Sequence, residues 1–125
     1  MGRALLVGAG GFLGAMARYA LGGLIHRWAP LTFPYETFVI NVSGCLAIGF
    51  LAVLADERFV LGPAGRLFWM AGILGGYTTF SAFGYETAVL LRASRPLAVA
   101  VNVMGQVLLG LVAVLLGAAL ARLLR

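Results

Sequence analysis

The sequence predicts an all-α integral membrane protein with four transmembrane helices, and three observations carry that prediction. Of its 125 residues, 62% are hydrophobic and only 10% are charged. The mean hydropathy is +1.04, whereas a soluble domain is about half apolar and a quarter charged. So small a fold leaves much of its surface exposed and cannot hide that excess inside, so lipid must be part of the solvent. The apolar residues also fall into four runs, each near the roughly 20 residues that a helix needs to cross the hydrocarbon. Together they use most of the chain, which reads as one transmembrane domain over residues 1–125.

The first helix is expected over about residues 4–24. It starts too close to Met1 for a secretory signal, has no clear small-residue cleavage site, and is followed rather than preceded by Arg18 and Arg27. Trp28, Pro30 and Pro34 mark the first connection. The second helix, about 32–54, carries Ser43, Gly44, Ala47 and Gly49. Asp56-Glu57-Arg58 and Gly62-Pro63 then separate it from a third, about 66–91. Arg92-Ala93-Ser94-Arg95 leads to Pro96, a residue suited to the first turn of a helix, and the fourth helix covers about 96–120. Gly10 and Gly14 in the first helix, and Gly105, Gly110 and Gly117 in the fourth, supply the small residues that let backbones approach in lipid.

The third segment is the unusual one. At 1.5 Å per residue it would run about 39 Å, beyond the roughly 30 Å hydrocarbon core. In its middle stands Gly75-Gly76-Tyr77-Thr78-Thr79-Phe80-Ser81-Ala82-Phe83. Unpaired backbone groups in hydrocarbon cost several kcal/mol each, so irregular backbone at that depth survives only beside protein or a watery path. The expectation is a helix broken mid-membrane near Gly75 to Thr79, with carbonyl oxygens freed for a hard cation such as Na⁺. Phe80 and Phe83 are three apart and share a face on the resumed helix. Their positive ring edges offer a small anion weak stabilisation, and Thr78, Thr79 and Ser81 place hydroxyls beside them.

Other polar residues fall at membrane depth. Asn41 lies mid-helix with Thr37 one turn before it, and Asn102 and Gln106 lie one turn apart in the last helix. Buried amides face a partner or a cavity, and their N–H groups donate either to a neighbouring helix or to an anion. Arg18, near the end of the first helix, either snorkels outward or draws anions toward a vestibule. His26 beside Arg27 and Trp28 reads as interfacial, and Cys45 as a small packed hydrophobe.

Charge is nearly balanced across the membrane. Four spans put Arg3, Arg58, Arg66, Arg122 and Arg125 on one side and Arg27, Arg92, Arg95 and an outward Arg18 on the other. Orientation is set by an excess of Lys and Arg on one side, and here the counts are five and four. Insertion both ways up, with two opposed copies pairing as an antiparallel dual-topology dimer, is the expectation.

Several function classes are excluded. Gly8, Gly11 and Gly14 satisfy a dinucleotide-binding spacing, but four apolar helices offer no strand–helix alternation around it. The arginines are scattered, without the basic stripe and interleaved aromatics of a nucleic-acid surface. The four acids, Glu36, Asp56, Glu57 and Glu86, form no catalytic pair with the single histidine, so no enzyme is expected. A proton-coupled small multidrug-resistance transporter is the alternative, but it needs an acid in the first helix, where this chain has none.

The motifs as a set resemble the Fluc (CrcB) family of fluoride channels. They are Gly11-x-x-Gly14-Ala15-x-x-Arg18-Tyr19, Thr37-x-x-x-Asn41-x-x-Gly44 with Gly49-Phe50, and Gly75-Gly76-x-Thr78-Thr79-Phe80-Ser81-x-Phe83 with Glu86. They occur in order on three of the four helices. The resemblance implies a dual-topology homodimer in the cell (inner or plasma) membrane with two fluoride pores, giving passive fluoride export and lowering fluoride toxicity when HF enters and dissociates. It implies Phe80, Phe83 and Asn41 at the pore, with Thr79 and Ser81 in the same break. A structural, untransported Na⁺ is implied on the main-chain carbonyls of Gly75 and Thr78. Arg18, Thr37, Glu86, Asn102 and Gln106 fall to a vestibule or polar track. The chain departs from the family pattern at Ala82, where threonine is common, and at Asn102 and Gln106, where hydroxyl residues often stand.

Overall fold

The structure, a computed structural model, describes residues 1–124; Arg125, counted in the charge balance, lies outside the described residues. Among the described residues every regular element is helical. Helix α1 covers Gly2–Trp28, longer at both ends than its apolar run. Helix α2 covers Tyr35–Asp56 and starts three residues later than expected. Phe33 precedes a proline, which disfavours helical backbone there, so the ladder opens with the Phe38 N–H on the Pro34 carbonyl at 3.1 Å. Helix α6 covers Pro96–Leu123 with Pro96 in its first turn. These three helices are long and apolar enough to cross a membrane.

The third apolar segment is divided. A turn of helix α3, Pro63–Gly65, runs into a π-helical stretch, Arg66–Leu74, and then a last turn α4, Gly75–Tyr77. Thr78 and Thr79 are extended, with ψ of 160° and 119°. Helix α5, Phe80–Arg92, then begins with Thr79 as its N-cap, the hydroxyl accepting from the Ala82 N–H at 3.2 Å. Nine π-helical residues are uncommon, since such geometry usually appears as a single widened turn.

Packing explains why the segment is divided. Before the interruption its residues lie along α1; after it, α5 leans on α6 and touches α2. The third segment thus changes partners across two extended residues, joining the α1 pair to the α2–α6 pair. Both pairs are backbone-close. A Cβ on Gly14 would meet the Ile73 carbonyl, and a Cβ on Gly49 would meet the Val114 carbonyl. Small residues permit that approach where lipid supplies no hydrophobic drive between helices.

The charged groups gather at the two ends. At one end Arg122 donates to Glu57 (Nη2 to Oε1, 2.5 Å), Arg58 to the Arg122 carbonyl at 3.0 Å, and Arg66 to Asp56 and the Ala55 carbonyl. At the other, His26 pairs with Glu36 at 3.4 Å and Arg95 donates to the Thr32 carbonyl. The hydrogen bond from Arg122 holds the Glu57 carboxyl below its usual range; desolvation opposes it, and the charges of Arg122 and Arg58 add to the lowering. A group depressed on folding stabilises the fold above its unfolded value, and that contribution is lost as pH falls through the lower folded value. The pair is exposed and salt-screened, so its effect is small. The acid-side fall of the melting midpoint is expected to shrink in Glu57→Gln at low ionic strength; superimposable curves would remove this role.

Candidate functional site

The interruption is held by a side chain from another helix. Thr79 N–H would continue the helix by donating to the Gly75 carbonyl, but it donates instead to Asn41 Oδ1 at 2.9 Å. Asn41 Nδ2 donates back to the Thr79 carbonyl at 3.0 Å. One asparagine thus satisfies both backbone groups of an extended residue, as buried polar groups demand. Thr78 keeps its ties to the preceding turn, its N–H and hydroxyl both reaching the Leu74 carbonyl at 3.0 Å.

Asn41, Thr79, Phe80, Phe83 and Gln106 line one cleft of about 240 Å³, together with Cys45 and Val107. Five of the candidate residues named from sequence therefore meet at one place. The Phe80 and Phe83 rings lie 5.4 Å apart between centroids and 40° from parallel, and Phe80 is 83% exposed on the single chain. Cys45, read as a packed hydrophobe, is half-buried on this wall. Ser81 stands beside the cleft, its hydroxyl 3.3 Å from that of Thr79.

The remaining candidates divide. Thr37 is buried and donates to Glu86 Oε1 at 2.6 Å. Glu86 Oε2 is buried without a partner among the described residues. That pair lies toward the end of the bundle where Glu86 lines a second cavity with His26 and Glu36. Arg18 does not snorkel outward. Its guanidinium turns in, Nη1 reaching the Thr78 carbonyl at 3.4 Å. The outward placement that gave it to one side's charge count is therefore corrected, because the uncapped carbonyl attracts it.

Asn102 and Gln106 extend the Asn41 contact into a chain. Asn41 Nδ2 donates to Gln106 Oε1 at 2.8 Å, Gln106 Nε2 to Asn102 Oδ1 at 2.8 Å, and Asn102 Nδ2 to Thr87 Oγ1 at 3.0 Å. Thr87 closes it on the Phe83 carbonyl at 2.7 Å. Sequence reasoning missed Thr87; its place four residues after Phe83 was the available signal. It also missed the hydroxyl pair of Ser43 and Tyr77, 2.8 Å apart.

Groups able to hold a cation are the neutral carbonyls of the interruption. The Gly75 carbonyl has lost its fourth-residue donor to Asn41, and no cluster of His, Cys, Asp or Glu able to hold a metal occurs among the described residues. Carbonyl oxygens suit a hard cation.

Comparison with known proteins bears on the whole chain. The family model described as "CrcB-like protein, Camphor Resistance (CrcB)" matches residues 5–118. The chain is 43% identical over 123 residues to the "Fluoride-specific ion channel FluC" of Nitratidesulfovibrio vulgaris (strain DSM 19637 / Miyazaki F), covering 98% of this chain and 99% of that one. It is 47% identical over 118 residues to the protein of the same name from Solibacter usitatus, covering 94% and 97%. Against that of Methylobacillus flagellatus it is 42% identical over 118 residues, covering 94% and 92%.

Proposed function

The chain belongs to the CrcB family, and from that premise we propose that it is a fluoride-selective channel giving passive export of the anion and lowering its toxicity. The observation that carries the reading is the cleft beside the interrupted third segment, where Phe80 and Phe83 meet the amides of Asn41 and Gln106. Fluoride is small and strongly hydrated. Ring edges and amide N–H groups replace part of that hydration with fixed donors, while the apolar wall offers larger anions little. The channel performs no covalent chemistry.

Two copies in opposite orientations complete the assembly in this reading, in the cell membrane. The 83% exposure of Phe80 supports it, since a pore-facing phenylalanine needs a covering wall. With Arg18 turned inward, the two sides carry five and three basic residues. That bias is still small for fixing one orientation. A structural Na⁺ would be held by the carbonyls of Gly75 and Thr78 from both copies. Thr78 shares its oxygen with Arg18, whereas that of Gly75 has lost its helical donor. The ion would supply positive charge that ties the two interruptions together. Asn41 fixes the carbonyl directions in its own chain.

Liposomes carrying the purified protein are expected to release fluoride, read with a fluoride electrode, and to retain chloride. No release with Na⁺ present, or equal release of chloride, rejects the channel. C-terminal reporters for the two compartments should both give signal; a single-sided signal sinks the opposed dimer.

A further inference from the structure

The amide chain between α2, α5 and α6 runs in one direction, and that direction says which amide is free. Its first donor is the Thr79 N–H, a backbone group that can only donate. Asn41 must therefore turn its oxygen to the Thr79 N–H, which leaves its nitrogen for the Thr79 carbonyl and for Gln106. Gln106 then has to offer Oε1 to Asn41, which leaves Nε2 for Asn102, and Asn102 in turn offers Nδ2 to Thr87. The last acceptor is the Phe83 carbonyl, which can only accept. Both anchors belong to the same stretch of backbone, one at the interruption and one in the first turn of α5.

The hydrogen count follows. Asn41 has two amide hydrogens and spends both, one on the Thr79 carbonyl and one on Gln106. Gln106 also has two but spends one, on Asn102. Nε2 makes no second bond among the described residues, and Gln106 lines the cleft with Phe80 and Phe83. Asn102 is fully buried, 0% exposed, and does not line it.

We propose that Gln106, rather than Asn41, presents the free amide N–H to the permeating anion, and that Asn41 and Asn102 are positioning residues that fix its direction. The inference rests on the fluoride-channel reading and deepens it. Asn41 receives Thr79 and passes that polarity on; Gln106 meets the ion. An amide at this position reaches farther than a hydroxyl and keeps a hydrogen after satisfying both neighbours. Of the two amides that line the cleft, it alone has a hydrogen left.

The test compares fluoride efflux through the parent, Gln106→Met and Gln106→His in liposomes. Elution volume and melting midpoint are measured on the same preparations. Methionine keeps the length and removes both donor and acceptor, whereas neutral imidazole supplies one of each, enough for Asn41 and Asn102 but with no hydrogen left for the anion. Gln106→Met is expected to lose at least about tenfold in flux, with half-saturating fluoride raised and elution unchanged, because one lost charge-assisted hydrogen bond reaches that size. Its midpoint is expected to fall, because Asn41 and buried Asn102 lose their partner. Gln106→His is expected to regain the midpoint but not the flux. A smaller loss in Gln106→Met, or near-parental flux through Gln106→His, overturns the assignment while leaving the channel in place. Absence of fluoride flux through the parent overturns both.

Discussion

Gly14→Ala is expected to lower the unfolding free energy of the purified protein by about 3 kcal/mol, the upper part of the usual overpacking range. The added methyl would meet the Ile73 carbonyl, with the Tyr77 nitrogen at 2.8 Å and the Ile73 carbonyl carbon at 2.9 Å. These neighbours are backbone atoms, so none can swing aside as a side-chain tip does, and α1 must move away from the third segment. That contact ends at Tyr77, one residue before the extended pair, so the displacement reaches the interruption and fluoride flux should fall with stability. Gly23→Ala is the matched control. Its Cβ meets nothing within 4 Å, and alanine is preferred over glycine inside a helix by roughly 0.5–1 kcal/mol. The measurement is the melting midpoint in detergent together with the monodisperse yield. A Gly14→Ala midpoint equal to that of Gly23→Ala would show that the helices have slack the geometry does not suggest.

The same glycine illustrates what the sequence made legible. Three of the four apolar runs became continuous helices of spanning length, because length and composition decide whether a segment suits hydrocarbon, while the third run is divided. Thr78 and Thr79 stood out because hydroxyls beside two glycines are costly in the middle of such a run. What each helix faces was far less legible. A helix that is apolar all round carries no stripe to tell its lipid side from its packed side, and α2 and α6 are of that kind. The π-helical stretch before the interruption had no signal in Arg66–Leu74, whose residues suit an ordinary helix as well. The inward turn of Arg18 depended on a carbonyl 60 residues away in sequence. Thr87 joined the amide chain because α5 lies against α6, a packing fact and not a local one. Asn41, Phe80 and Phe83 stood out because each is costly or distinctive where it stands, and the three line one cleft. Gln106 was found as polar, but its spare hydrogen emerged only from counting the bonds around it.

Asn41→Asp is the substitution that should matter most for conduction, with fluoride flux falling by about a hundredfold or more. The replacement is nearly isosteric, and one carboxylate oxygen still accepts the Thr79 N–H. The other oxygen takes the place of Nδ2, opposite the Thr79 carbonyl at 3.0 Å and Gln106 Oε1 at 2.8 Å. Two acceptors then face an acceptor. Leaving a buried partner unsatisfied costs about 1–3 kcal/mol, and each 1.36 kcal/mol is a factor of about ten in rate. Two such contacts therefore account for the hundredfold, before the repulsion of a carboxylate for an approaching anion. If Gln106 turns its amide to escape, Nε2 moves to the carboxylate and Oε1 meets Asn102 Oδ1, so the free hydrogen leaves its place by the same movement and a new acceptor pair forms. Asn41→Asp and Gln106→Met should for this reason be strongly non-additive. The double variant is expected to lose little more than Asn41→Asp alone, because both cut one chain of donors. Flux through Asn41→Asp within threefold of the parent would mean that Asn41 neither holds the interruption nor directs the amides. Fully multiplicative losses in the double variant would mean that the two residues act on the anion separately.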